Sequence, residues 1–152
     1  PPVFTRSLAE RLDEECQIKV KEAENGEVLQ PGCAYILPGG WHGKVQEDRT
    51  IALYPKKAFP EQHYTPSSNV LMPSLAKVYK DRALCIIMTG MGADGLEGVR
   101  EAKEYGSYIL AQSESSSTIY GMPKAIISNK LHDEIIHLDD MGTRINQLCI
   151  GD

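Results

Sequence analysis

The feature that most constrains the fold is an apolar run over residues 83–88, followed at once by a glycine-rich segment and then by a helix-forming one. Beyond it, strand-like and helix-like segments alternate. We predict strands at 83–88, 108–112 and 134–138, with helices at 96–105, from about 123 and from about 140. This alternation predicts an α/β fold of the doubly wound, Rossmann-like type, a parallel sheet with helices on both faces. Functional groups are expected at the carboxyl ends of its strands.

The first residues predict a helix and a strand. Ser7 and Glu10 have the spacing of a capping box, which predicts a short helix over 7–15. Apolar and polar residues alternate over 18–23, and Asn-Gly follows at 25–26. This pattern predicts a half-buried strand that ends in a turn.

The middle of the chain is rich in turn residues. Short apolar runs between Pro-Gly and Gly-Gly pairs predict a small antiparallel section near residues 33–54. Apolar spacing over 70–78 predicts a helix, and Pro73 is expected in its first turn because an interior proline removes a backbone hydrogen bond. All of this fits one domain over residues 1–152.

Composition excludes several classes of partner. A net charge of -5 gives no broad attraction to nucleic acid or to anionic lipid, and the longest apolar runs are too short to cross a bilayer. We therefore expect no nucleic-acid partner and no membrane insertion. The four cysteines are far apart in sequence and are interpreted as free thiols in a reducing cytoplasm: Cys16, Cys33, Cys85 and Cys149.

The glycine-rich segment admits more than one function. Gly90, Gly92 and Gly95 have the spacing of a dinucleotide-binding fingerprint, and Glu114 stands where a ribose-binding acid would be. Asp94 argues against a nucleotide, because its carboxylate would crowd a pyrophosphate. From spacing alone, Asp94 is either an ordinary helix N-cap or a catalytic acid.

A set of motifs, in order along nearly the whole chain, resembles the catalytic domain of chemotaxis-receptor protein-glutamate methylesterases. The strongest is the segment 89–95, which is similar to the family signature T-G-M-G-x-D-G. The weaker motifs are Pro2-Val3-Phe4-Thr5 with Ser7-Leu8-Ala9, Lys21-Glu22-Ala23 with Gly26-Glu27, Pro31-Gly32 with Tyr35-Ile36, Pro38-Gly39-Gly40 with His42, Pro66-Ser67 with Val70-Leu71, and Ala111-Gln112 with Gly121-Met122-Pro123.

The resemblance implies a serine hydrolase with a Ser-His-Asp triad. It assigns the triad acid to Asp94 and makes the Met91 amide a candidate oxyanion donor, although the Met91 side chain could instead simply pack at the edge of the loop. The family's serine and histidine segments are expected upstream of Pro1, so that this chain alone would be inactive. No cofactor and no metal site are expected.

The same resemblance implies the substrate and the partners. The substrate would be glutamyl methyl esters on the cytoplasmic helices of chemoreceptors, with deamidation of glutamine as a second reaction. A phosphoacceptor receiver domain in the parent protein is a possible further partner. Two alternatives stay open: a dinucleotide-binding module that uses the Gly90–Gly95 loop, and a relative that binds receptors without catalysis.

Three other polar positions receive structural interpretations. His42, after a Gly-Gly pair, is expected to be an exposed turn histidine. The histidines at 132 and 137 do not have metal-site spacing and are expected in a surface turn. The serine-rich segment 115–118 is expected to be a flexible loop at the carboxyl end of a strand.

Overall fold

A computed structural model describes residues 1–150 of the chain. It divides into two compact units, of which the first is Pro1–Val78 and the second begins at Tyr79. In the described residues, no helix is both long and apolar enough to cross a membrane. The prediction of a single domain stays a prediction.

The first unit contains two small sheets. Its elements are α1 (Pro2–Glu15), β1 (Lys19–Glu22), β2 (Cys33–Ile36), β3 (Trp41–Val45), β4 (Ile51–Pro55) and, up to Val78, α2 (Ser68–Tyr79). Strands β3 and β4 are antiparallel, which confirms the predicted antiparallel section. Strand β2, also within the predicted range, pairs in parallel with β1 instead. Parallel strands need a long connection rather than a hairpin, and residues 23–32 provide it.

Helix α1 begins five residues before the predicted start. Pro2 opens it, a favourable first position because the amide that proline lacks has no acceptor there in any case. Ser7 is within the helix rather than at its start, and its hydroxyl donates to the Val3 carbonyl at 2.9 Å. Glu10 pairs with Arg6 at 3.3 Å rather than reaching back to Ser7. The predicted capping box is therefore wrong.

Helix α2 contains Pro73 in its interior, so the prediction of Pro73 in the first turn is also wrong. The helix starts earlier because the Ser67 carbonyl accepts hydrogen bonds from the amides of Val70 and Leu71, at 3.2 and 3.3 Å. Ser74, next to the proline, donates its hydroxyl to the Leu71 carbonyl at 2.7 Å. This side-chain bond adds a contact beside the point where proline interrupts the helical hydrogen bonds.

The second unit is a three-stranded parallel sheet flanked by helices, as the alternation of segments predicts. Its elements are β5 (Leu84–Ile87), α3 (Leu96–Glu104), β6 (Tyr108–Gln112), α4 (Gly121–Ser128), β7 (Glu134–Ile136) and α5 (Leu138–Ile150), with strand order β5-β6-β7. Gly106 follows α3 with a φ of 88°, a left-handed conformation that suits glycine.

Strand β6 is central in this sheet and its last four residues are buried. Burial on both faces explains why its sequence is a continuous apolar run rather than an alternating one. Because the strands are parallel, their carboxyl ends lie at one edge. The segments that follow β5, β6 and β7 therefore start from the same edge of the sheet.

Candidate active site

The glycine-rich loop over 88–95 joins the carboxyl end of β5 to α3. Gly92 and Gly95 have φ values of 85° and 96°, which side chains other than glycine rarely adopt. Gly95 is the N-cap of α3, so the interpretation of Asp94 as the cap residue is wrong by one position. Asp94 is half-buried in the loop. Its role as a triad acid stays a prediction.

Met91 lies at the outer part of this loop. Its side chain is 69% exposed, so packing at the edge of the loop does not account for it. Its backbone amide donates to no backbone carbonyl within residues 1–150. A backbone amide in a tight turn is chemically able to donate to a ligand oxygen, and the oxyanion role of Met91 stays a prediction.

Thr89, at the start of the loop, is hydrogen-bonded to the segment that precedes α4. Its hydroxyl donates to the Ile119 carbonyl and accepts from the Ile119 amide, both at 2.9 Å. The Gly90 amide donates to the same carbonyl at 2.9 Å, and the Gly90 carbonyl accepts from the Met122 amide at 2.9 Å. Hydrogen bonds to Ile119 and Met122 thus fix the position of both residues that precede Met91.

Glycines allow the loop and α4 to approach closely. A Cβ on Gly121 would stand 3.0 Å from the carbonyl oxygens of Gly90 and Gly92. A Cβ on Gly90 would collide with the Met122 side chain. Close packing against backbone atoms, rather than a positive φ, favours glycine at position 121, whereas a side chain at position 90 would require the flexible Met122 side chain to move.

Gln112, the last residue of β6, is the main polar group behind the loop. Its side chain is fully buried. The Gln112 Oε1 accepts from the Thr89 amide at 2.8 Å, and its Nε2 donates to the Ser116 carbonyl at 2.8 Å. Gln112 drew attention in the sequence only as part of a weak motif. The sequence feature that could have identified it is a polar residue at the end of a continuous apolar strand.

The serine-rich segment follows the carboxyl end of β6, as expected, and begins with a hydrogen-bonded 3-10 turn, Glu114–Ser116. Its flexibility stays a prediction. The hydroxyls of Ser113 and Ser116 are 2.7 Å apart, and the Ser117 hydroxyl donates to the Ser113 carbonyl at 2.8 Å. The Ser116 hydroxyl also accepts from the Leu138 amide, at the start of α5, at 3.1 Å. The turn therefore connects the ends of β6 and β7.

His42 belongs to the first unit, and its prediction as an exposed turn residue is wrong. It lies on β3 with no exposed surface. The Ser67 amide donates to its Nδ1 at 3.3 Å, and the Phe59 ring packs edge-on with ring centroids 5.3 Å apart. The strand places His42 inward and leaves its neighbour Trp41 44% exposed.

The carboxylates in the segment 132–137 have structural partners. Asp133 pairs with Lys103 at 3.2 Å, and Glu134 accepts three hydrogen bonds from the Arg144 guanidinium at 2.7, 2.8 and 3.1 Å. The Arg144 guanidinium holds the pKa of Glu134 below its ordinary value. Within residues 1–150 no group of three or more His, Cys, Asp or Glu side chains is arranged to hold a metal ion.

Comparison with known proteins gives the family. Residues 1–145 match the family model described as CheB methylesterase. The fold matches the crystal structure of the Thermotoga maritima CheB methylesterase catalytic domain with a TM-score of 0.88 and 33% identity, covering 97% of this chain and 79% of that one. The chain belongs to the CheB methylesterase family. The resemblance of its motifs and the α/β fold that it implies are both confirmed.

The curated relatives that the chain matches are named protein-glutamate methylesterase/protein-glutamine glutaminase. A protein-glutamate methylesterase/protein-glutamine glutaminase of Pseudomonas syringae pv. tomato is 45% identical over 150 residues, which cover 99% of this chain and 38% of that protein. One of Oleidesulfovibrio alaskensis is 48% identical over 146 residues, which cover 95% of this chain and 40% of that protein. The chain thus spans about two fifths of the length of these relatives.

Membership of the CheB methylesterase family favours the esterase signature over the dinucleotide alternative, and the position of Gly95 agrees. The third glycine of a dinucleotide fingerprint serves close packing between the helix and the strand. Here Gly95 stands before α3 in a left-handed conformation, and the helix begins only at Leu96. The glycine spacing in this chain therefore belongs to the signature of the esterase family.

Proposed function

We propose that the protein is a protein-glutamate methylesterase that hydrolyses γ-glutamyl methyl esters on the cytoplasmic helices of chemoreceptors, and that it also deamidates glutamine there. The names of the curated relatives support both reactions. The observation that carries the proposal is the position of the 89–95 loop, which follows the carboxyl end of a parallel strand in a chain of the CheB methylesterase family. A cytoplasmic location is part of the proposal.

The proposed reaction uses the serine and the histidine of the family's Ser-His-Asp triad, supplied by the parent protein. The histidine takes the serine proton as the serine oxygen attacks the ester carbonyl. Collapse of the tetrahedral intermediate releases methanol, which receives the proton from the histidine. Water then repeats the attack on the acyl-enzyme and leaves a glutamate side chain and the free serine.

Asp94 is the proposed acid of this triad. A carboxylate beside the imidazole holds it in the tautomer that can accept the serine proton, and stabilises the imidazolium that forms. The loop suits this task, because Asp94 is half-buried and follows a tightly fastened turn. The Met91 amide is the proposed donor to the oxyanion of the intermediate.

Methanol release by the full-length protein from a methylated receptor fragment tests the proposal. Asp94→Asn should lower kcat by about 10⁴-fold, as in comparable triads. Asp81→Asn, an exposed aspartate in the turn that precedes β5, is the matched control and should leave kcat unchanged. An Asp94→Asn enzyme with parental kcat would reject the proposed role of Asp94.

Two further readouts complete the test. Ammonia release from a receptor that carries glutamine at the same sites reports deamidation. If the folded parent protein binds the receptor but releases neither product, the non-catalytic alternative replaces the enzyme. A receiver domain that regulates the parent protein is proposed from the family resemblance, and phosphorylation would then raise the rate of methanol release.

A further inference from the structure

Gln112 combines complete burial with polar contacts to two separate loops. It ends the central strand β6, where the neighbouring strand positions pair Ile87 with Ala111 and Gln112 with Ile136. A buried amide side chain is costly unless its donor and acceptor atoms are hydrogen-bonded. Both are used here, the oxygen for the Thr89 amide and the nitrogen for the Ser116 carbonyl, each at 2.8 Å.

The position of the Thr89 bond gives it a functional consequence. Thr89 is two residues before Met91 and five before Asp94, and its amide is fixed by Gln112 while its hydroxyl is fixed by Ile119. The loop thereby acquires a defined start, from which the turn at Gly92 leads to Asp94. Loss of the Gln112 contact would remove the hydrogen bond that fixes the Thr89 amide at the start of the loop.

The second contact of Gln112 extends the same effect to the neighbouring loop. Ser116 accepts from Gln112 through its carbonyl, and its hydroxyl accepts from the Leu138 amide at 3.1 Å. The side chain of Gln112 therefore links the segments that follow β5, β6 and β7 at one edge of the sheet.

We propose that Gln112 is a positioning residue for the reaction: its buried side-chain amide sets the position of the loop that carries Met91 and Asp94. This inference rests on the proposed function and adds to it. Gln112 acts through the backbone of Thr89 and does not touch the substrate. A displacement of about 1 Å in groups that must meet a transition state costs up to about 10²-fold in rate.

The experiment compares full-length variants by kcat and KM for methanol release. Gln112→Met keeps the length of the side chain and removes both hydrogen bonds. It should lower kcat by about 10- to 100-fold with KM changed by less than about threefold, because the substrate surface is kept while the catalytic loop shifts. Tyr108→Phe, at the opposite end of the same strand, removes a 2.8 Å bond to Glu134 and should leave kcat unchanged.

A second variant covers the case in which Gln112→Met fails to fold. In Gln112→Glu, the protonated carboxyl group offers the same acceptor and donor pattern as the amide, whereas the ionised form loses the donor to Ser116. Its kcat, divided by that of the parent at each pH, should rise as the pH falls. A ratio that stays flat across pH would contradict the proposal.

The outcomes separate this proposal from the one on which it rests. Full kcat in a folded Gln112→Met protein, with only a lower melting temperature, overturns the positioning role and leaves the methylesterase proposal intact when Asp94→Asn is inactive. If Asp94→Asn is as active as the parent, the triad assignment fails first. Reduced kcat in both variants, with an unaffected Tyr108→Phe protein, supports both.

Discussion

The carbonyl oxygen of Gly90 lies so close to Gly121 that a Cβ on Gly121 would stand 3.0 Å from it. The same Cβ would stand 3.0 Å from the Gly92 carbonyl oxygen and 3.1 Å from the Gly92 amide nitrogen. All three neighbours are backbone atoms of the loop that carries Asp94. A side chain at the first residue of α4 can therefore be accommodated only if this loop moves.

Gly121→Ala is expected to damage both stability and activity. Forcing a methyl group into a packed site should cost about 1–3 kcal/mol of unfolding free energy. The loop would have to shift by a few tenths of an ångström, which should lower kcat for methanol release by about three- to tenfold. Denaturant unfolding and steady-state kinetics of the full-length variant measure the two effects.

Gly142→Ala is the matched control for this substitution. Gly142 lies inside α5, and a Cβ there would have no neighbour within 4 Å among the described residues. Alanine should stabilise the helix by about 0.5–1 kcal/mol and leave kcat unchanged. A Gly121→Ala protein as stable and active as the control would show that the loop does not need the close approach of α4.

His42→Phe is expected to destabilise the protein. The side chain stays aromatic but its ring becomes larger, and the buried Ser67 amide loses the Nδ1 acceptor that lies 3.3 Å away. Loss of this buried hydrogen bond and insertion of a larger ring into a packed site should cost about 1–3 kcal/mol, which chemical denaturation can measure. His63→Phe makes the same change at an exposed position and should alter stability by less than about 0.5 kcal/mol. Equal effects of the two substitutions would mean that the His42 contact contributes nothing.

Glu134→Gln is expected to lower the melting temperature in a pH-dependent way. Hydrogen bonds from Arg144 depress the pKa of Glu134 below its ordinary value of 4.5. A carboxyl group whose folded-state pKa is depressed stabilises the fold above its unfolded pKa, and this contribution is lost as the pH falls through the folded-state pKa. The difference in melting temperature between the parent and Glu134→Gln should thus be full at pH 7 and shrink below pH 4.5.

Glu104→Gln, an exposed glutamate near the end of α3, is the control for this titration. Its melting temperature should follow that of the parent at every pH. A difference for Glu134→Gln that stayed constant from pH 7 to pH 3 would show that the ionised carboxylate is not the source of its stabilisation.

Much of the second unit could be predicted because its signals are local. Two apolar runs, over 83–88 and 108–112, predict strands from their own composition. The glycines after the first run and Gly106 after α3 predict turns in the same local way. Strand β6 was predicted at 108–112 and occurs at Tyr108–Gln112. The family signature over 89–95 is local as well, which is why Asp94 and Met91 could be singled out before any fold was known.

The errors share a different cause. Ser7 and Glu10 have the spacing of a capping box, but the chain before them was already able to form a helix that opens at Pro2. Cys33–Ile36 has the composition of a hairpin strand, but its partner β1 lies earlier in the chain and runs parallel to it. Pro73 was expected to open a helix whose start is set by contacts of Ser67.

The sequence by itself determined the order of strands and helices in the second unit, the glycine-rich turn and its candidate acid, because backbone propensity and hydrophobic period act within a few residues. Only the tertiary structure decided that His42 is buried and that Gln112 binds the loops after two strands. A hydrogen bond across strands depends on which segments become neighbours, and that choice results from burial over the whole unit rather than from the residues on either side.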